Sequence, residues 1–203
     1  MKKKLNIYLG DVTHEIGLRT RVVPMGIATL ACALKDNYKE QVSTKLFVYP
    51  EKIFKEIEKS PPDIIALSNY IWNSKLSLKI LKEIKKNYPK TLTIMGGPHC
   101  RTDSEGLKAF LKKNPFVDGY IPFEAENPFV NLVGECLKHN SVELQKLNNI
   151  EGTYLNKESY IFKKLLPKSS ETKIKYNSDY YTINQFSSPY LNGMLAAFLA
   201  DLK

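Results

Sequence analysis

Between residues 5 and 139 short runs of β-type residues alternate five times with segments of helical period. The strand-like runs cover 5–9, 42–49, 63–68, 91–95 and 117–121, and the helical segments cover 24–37, 51–59, 74–87, 103–113 and 127–138. In the first helical segment Ile27, Leu30, Ala31 and Leu34 share one face, with Pro24 at a suitable start. In the third, Leu76, Ile80, Leu81 and Ile84 do the same. This alternation predicts an α/β fold with a parallel sheet covered on both faces. Right-handed crossovers then make the sheet doubly wound, with five strands, the first of them central, and a topological switch point. Ligands of such sheets bind outside the carboxyl ends of the strands. The loops after strands one, three, four and five are therefore the places to look for chemistry.

Composition narrows the function classes. A chain of 203 residues holds one substantial domain and an appendage. With 43% hydrophobic and 25% charged residues it is neither disordered nor fibrous. No apolar run approaches the roughly 18 residues needed to cross a bilayer. The basic start is followed by an apolar stretch that Gly10-Asp11 interrupts too soon for a signal sequence, so a cytoplasmic protein without a membrane partner is expected. Cys32, Cys100 and Cys136 are odd in number and far apart, which fits a reducing compartment and argues against a disulfide framework or a local cysteine metal cluster. The net charge of +9 comes mainly from lysines spread along amphipathic segments, with only three arginines. No cluster of basic and aromatic residues suggests a nucleic-acid partner, and the charge is assigned to solubility.

After Lys138 the pattern changes. Residues 150–162 read as a small hairpin turning near Asn156-Lys157, a polar stretch covers 163–179, and a last amphipathic segment covers 188–199. This extension has no sizeable core of its own. It is expected either to pack on the first domain or to bridge to something beyond the chain, which divides the sequence into 1–139 and 140–203.

The first loop, 10–24, is long for a strand-to-helix connection and holds Asp11, Thr13, His14, Glu15 and Gly17. It has neither a phosphate-cradling nor a dinucleotide pattern. His14 is either a metal ligand with Asp11 orienting its second nitrogen, or a loop histidine bonded to backbone. The third strand ends in Ser68-Asn69-Tyr70-Ile71-Trp72-Asn73, which brings the single tryptophan, a tyrosine, two amides and a hydroxyl to one rim. Such a rim suits a large planar ligand with polar substituents, or caps the core as a lid. The fourth strand ends in Gly96-Gly97-Pro98-His99, where paired glycines either admit a ligand that a Cβ would exclude or form a simple turn. The fifth leads into Glu124-Ala125-Glu126, with Glu126 placed to favour a helix N-terminus.

Together, Asp11-Val-Thr-His, Pro24-Met-Gly-Ile, Pro62-Asp-Ile-Ile-Ala-Leu-Ser-Asn-Tyr-Ile-Trp-Asn, Gly96-Gly-Pro-His and Glu124-Ala-Glu-Asn-Pro-Phe resemble the N-terminal cobalamin-binding domain of cobalamin-dependent radical S-adenosylmethionine enzymes. The resemblance spans about residues 5–139, and Ser187-Ser-Pro-Tyr-Leu-Asn-Gly looks like the linker that precedes the radical barrel there. It implies a flavodoxin-like (Rossmann-like) domain that holds the corrinoid over the carboxyl edge, with the nucleotide tail in a crevice near the Gly-Gly turn. Gly96, Gly97 and His99 would line the tail, Ser68 and Tyr70 would touch the tail or the ring edge, and Trp72 and Asn73 would meet corrin side chains. Thr13, His14 and Glu15 would lie under or beside the cobalt face, with His14 the one candidate cobalt ligand. Glu124, Ala125 and Glu126 would border the pocket.

Two departures stand out. Two residues separate Asp11 from His14 where a cobalt-ligating histidine typically sits in Asp-x-His-x-x-Gly, with only one between, so base-off binding with the lower face toward protein or water is expected. Phe123-Glu-Ala-Glu126 stands where similar chains usually have Gly-Glu-Gly-Glu. The cysteine spacing also lacks the triplet that holds a [4Fe–4S] cluster, so the cluster and S-adenosylmethionine belong to a barrel absent from this sequence. The expected function is a cobalamin-binding module that positions the cofactor for methyl transfer or radical chemistry by that barrel, in cis or in trans, without turnover of its own. The alternatives are a free-standing corrinoid shuttle, a flavin-binding module and an interaction domain of the same fold.

Overall fold

The computed structural model describes residues 4–13, 23–101, 103–148, 150–157 and 186–200. Five strands, β1 (Leu5–Gly10), β2 (Val42–Phe47), β3 (Ile64–Ser68), β4 (Leu92–Gly96) and β5 (Gly119–Ile121), form a parallel sheet. They alternate with α1 (Met25–Tyr38), α2 (Pro50–Lys59), α3 (Ser74–Asn87), α4 (Ser104–Lys113) and α5 (Glu126–His139). The order β2-β1-β3-β4-β5 is the flavodoxin-like one, with β1 interior and the switch point between β1 and β3.

Every strand supplies apolar side chains to both faces because both are covered. On one face Leu5, Ile7, Leu9, Ile64, Ala66, Ile94 and Ile121 meet Ile27, Ala31 and Leu34 of α1 and Phe129, Val133 and Cys136 of α5. On the other, Tyr8, Ile65, Leu67, Met95 and Tyr120 meet Ile53 and Ile57 of α2, Ile80, Leu81 and Ile84 of α3, and Leu107 and Leu111 of α4. Local signals match the helix ends. Pro50 opens α2, and Asp103 caps α4 by accepting from the Gly106 amide at 2.8 Å. Asn140, left-handed at φ 49°, closes α5.

The sheet has a sixth strand that the five-strand expectation lacks. Tyr154–Leu155 (β6) pairs antiparallel with β5, Gly119 facing Leu155 and Tyr120 facing Tyr154. The expected hairpin is therefore used differently: its first arm covers the exposed edge of β5, and its second arm lies outside the described residues. An uncovered edge would present a row of unpaired backbone groups, which β6 removes. Leu147, Ile150 and Leu155 join the α1/α5 core.

The last described segment also packs on that face. Ser187 donates from its amide (2.7 Å) and hydroxyl (2.8 Å) to the Asp36 carboxylate of α1, and Asn192 Nδ2 donates to Cys32 Sγ at 3.0 Å. Of the amphipathic stretch expected over 188–199, only Ala196–Ala200 (α6) is helical.

Candidate functional site

Register aligns the loops. Ser68 lies beside Gly96 and Gly96 beside Ile121, so the connections after β3, β4 and β5 leave the sheet at one level. Gly10, at the end of β1, pairs with Leu67 one step below. The carboxyl edge thus gathers four loops around the switch point, where this fold places its ligands.

The switch point itself is bridged by side chains. Ser68 Oγ donates to Asp11 Oδ1 at 2.6 Å, and Asn73 Nδ2 donates to both Asp11 Oδ1 (3.1 Å) and Ser68 Oγ (2.8 Å). Asn73 Oδ1 accepts from the Tyr70 amide at 2.8 Å, so both ends of this buried amide are engaged within the loop. Asp11 therefore orients Ser68 and Asn73 in the described structure; His14 and Glu15 lie outside the described residues. Thr13 is half-buried and donates its amide to the Val48 carbonyl at 2.9 Å.

A second network ties the Gly-Gly turn to its neighbours. The Asn69 amide donates to the Gly96 carbonyl (2.6 Å), the His99 amide to the Asn69 carbonyl (3.1 Å), and the Gly97 amide to the Ile121 carbonyl (3.0 Å). Asn69 Nδ2 donates to the His99 carbonyl (2.9 Å) and to the Tyr120 hydroxyl (2.7 Å), which in turn donates to the Gly97 carbonyl at 2.7 Å. The His99 carbonyl can only accept, so these bonds set which end of the Asn69 amide is nitrogen. Asn69 Oδ1 is then a buried acceptor with no partner among the described residues. Burial holds the Tyr120 phenol protonated far above its ordinary range, against a smaller opposing effect of the Asn69 bond.

Contacts between the loops themselves exclude a side chain at both glycines. A Cβ on Gly96 would stand 2.9 Å from the Ile121 carbonyl oxygen, and one on Gly97 would stand 2.8 Å from the Asn69 carbonyl oxygen, with Gly97 itself at φ 128°. Close approach of three turns to one another excludes side chains here. His99 is exposed at the end of the turn.

Around these networks the rim is apolar and open. Tyr70 and Trp72 stack with centroids 4.7 Å apart and planes 5° from parallel. Ile71 is 75% exposed, Trp72 68% and Phe123 56%, so three of the five exposed large hydrophobics among the described residues sit on the loops after β3 and β5. An exposed apolar patch at a ligand edge marks a binding surface. Glu126, half-buried at the start of α5, accepts from Thr29 Oγ1 of α1 at 3.2 Å. Burial first, then the Asp11 and Glu126 carboxylates, raise the Tyr70 phenol above its ordinary value, which places loops one, three and five within electrostatic reach. Ala125 packs against the α1/α5 core, and Glu124 is exposed.

Asn69, Tyr120 and Thr29 carry much of this geometry, and sequence reasoning did not single them out. Asn69 lay inside a noticed segment, whereas Tyr120 and Thr29 read as ordinary strand and helix residues. Their importance comes from pairings 51 and 97 residues apart.

The features present suit a cobalamin: a stacked aromatic pair offers a face to a wide planar ring, and an orphaned buried acceptor beside the Gly-Gly turn suits a ligand with O–H or N–H donors. Comparisons with known proteins agree. The cobalamin-dependent radical SAM methyltransferase TokK of Streptomyces tokunonensis is 40% identical over 76 residues. The 2-(S-pantetheinyl)-carbapenam-3-carboxylate methyltransferase of Streptantibioticus cattleyicolor is 37% identical over 76 residues. Each match covers 37% of this chain and 11% of the relative, so the likeness spans about a ninth of those proteins' length. The cobalamin-dependent S-adenosylmethionine radical enzyme OxsB, solved with aqua-cobalamin and S-adenosylmethionine, shares the fold with a TM-score of 0.55 and 20% identity, over 76% of this chain and 21% of that one. Residues 13–133, more than half of the sequence, match the B12 binding domain, and the chain belongs to that family.

Proposed function

We propose that this chain holds a cobalamin across the carboxyl edge of its sheet and presents it to a radical S-adenosylmethionine barrel for methyl transfer. The observation that carries this is the convergence of four loops at the carboxyl edge, three of them leaving the sheet at one level, with the stacked indole and the tied Gly-Gly turn among them. When bound, cobalamin supplies a cobalt–carbon bond from which a methyl group can be transferred.

The chain's own residues bind and orient. Trp72 and Tyr70 supply apolar area to the macrocycle, while Gly96, Gly97 and His99 line the course of the tail beside Ser68. Asn73 acts through Asp11 and Ser68, by holding the loop that carries Trp72. Thr13 is assigned to the cobalt face, as the sequence resemblance assigns His14 and Glu15, and Glu124, Ala125 and Glu126 border the pocket. Base-off binding needs no cobalt ligand from this chain, so the proposal does not depend on His14. Residues 1–139 form the cobalamin-binding part, and residues 140–203 form an extension, of which Tyr154–Leu155 covers the β5 edge, that joins it to the barrel in which S-adenosylmethionine and a [4Fe–4S] cluster reside. Among the described residues no helix is long and apolar enough to cross a membrane.

The test is direct. Purified chain is incubated with hydroxocobalamin, desalted, and its visible spectrum recorded under oxidising and reducing conditions. Stoichiometric retained colour is expected. A colourless protein in both conditions overturns the proposal.

A further inference from the structure

Three non-glycine residues among those described have positive φ: Lys39 at 48°, Phe123 at 64° and Asn140 at 49°. Lys39 and Asn140 are the C-caps of α1 and α5: Asn140 takes the left-handed closing conformation, and Lys39 donates its amide back to the Lys35 carbonyl of α1. Phe123 ends no helix. It stands between β5 and α5, and for a bulky side chain this backbone region is strained. Among the described residues no packing offsets that strain, because Phe123 is 56% exposed and belongs to neither core. Strain kept without internal compensation points to an external one.

We propose that Phe123 is a ligand-contact residue, held in a strained conformation so that its ring walls the bound corrin macrocycle opposite the Tyr70–Trp72 stack. The assignment rests on the cobalamin-binding reading and names a contact within it. Two observations and one physical argument support the macrocycle rather than the nucleotide tail. Phe123 lies on the outer rim with Ile71 and Trp72, the other exposed apolar residues of the loops at this edge. The Gly-Gly turn, near which the tail is placed, is bounded by polar and backbone groups. An aromatic face in water gains most against another wide apolar surface.

The experiment compares wild type, Phe123→Gly and Phe123→Ala in the full chain, by apo melting temperature and by quenching of the single tryptophan, Trp72, on titration with aquocobalamin and with cobinamide, which lacks the tail. Glycine removes both ring and strain, and its melting temperature is expected to rise by about 2 °C. Alanine removes the ring and keeps the backbone penalty, so no such rise is expected. Both variants are expected to bind aquocobalamin and cobinamide about fivefold more weakly. A structural ring would lower stability and affinity together, so opposite signs in Phe123→Gly are the signature. Unchanged or tighter binding in Phe123→Gly, a fall in its melting temperature, or a loss confined to aquocobalamin overturns the assignment. Wild type that binds neither corrinoid overturns the cobalamin reading and this contact with it; wild-type binding with unchanged variant affinity overturns the contact alone.

Discussion

The two ends of the sheet are built on opposite terms. At the amino edge every polar group in the central cluster is matched. Asp118 Oδ2 accepts from Lys85 Nζ (2.6 Å), the Thr93 amide (2.9 Å) and Thr93 Oγ1 (3.0 Å), and Lys85 also donates to the Thr91 carbonyl at 2.9 Å. Tyr8, buried in the same core as Tyr120, donates its hydroxyl to the Ser60 carbonyl at 2.7 Å. At the carboxyl edge the chain keeps an orphaned buried acceptor, a strained phenylalanine and an exposed indole. The fully matched cluster thus lies at the edge away from the proposed site, whereas the orphaned acceptor and the exposed aromatics lie at the edge where the proposed ligand would cover them.

The sharpest way to break this contrast is at Asp118. Asp118→Ala leaves the Lys85 ammonium and the Thr93 amide without their shared acceptor, and is expected to cost about 3 kcal/mol in urea unfolding. Cobalamin affinity of the folded fraction should stay at the wild-type value. Affinity that falls in step with stability would show that the two edges are not separable.

Trp72→Ala tests the other end. The indole is exposed, so stability should move by less than about 0.5 kcal/mol. Retention of cobalamin on a desalting column should drop, with an affinity loss of about tenfold. A variant that keeps wild-type affinity would remove the aromatic face from the site.

Tyr120→Phe and Tyr8→Phe form a matched pair, since each deletes one buried hydroxyl from the same core. Both should lose about 1 kcal/mol of stability. Only Tyr120→Phe, which releases the Gly97 carbonyl and Asn69, should speed cobalamin dissociation, by several-fold. Equal effects from the two would make the turn network a matter of stability alone.

Alkaline pH gives the smallest effect and separates the same two tyrosines. Burial raises both phenols, Tyr120 far more than Tyr8. In the unfolded chain a phenol ionises near pH 10, so above that pH the unfolded state binds fewer protons than the native one and stability falls. The decline measured by denaturant titration above pH 10 should be flattened more by Tyr120→Phe than by Tyr8→Phe. The Cys136 thiol, pushed up to about 12 by burial, adds a decline that begins as pH rises through the ordinary thiol range, before that of the tyrosines.

Much of the scaffold was legible before any coordinates. All five parallel strands and the five helices between them fall within a few residues of their expected places, because periodicity of apolar residues reports burial directly. The carboxyl-edge loops were identifiable for the same reason, since strand order and crossover handedness dictate where loops emerge. The β6 edge strand was missed as a member of the sheet: a two-residue antiparallel pairing leaves almost no periodic signal. The departure at Phe123 was visible as a missing glycine, but its left-handed backbone was not. Asn69 read only as one amide of the rim and Tyr120 as an ordinary strand residue, because their roles arise only across a contact between distant segments.

The order of residues along the chain determined that a doubly wound sheet would form and which loops would meet at its ligand edge, because both follow from local periodicity and the handedness of L-amino-acid chains. The tertiary structure alone decided which amide ties the Gly-Gly turn, which acceptor is left over and which aromatic ring stands strained at the rim. Those outcomes depend on ångström-scale distances between residues far apart in sequence, where the choice between a paired and an orphaned group is made only when the loops come together.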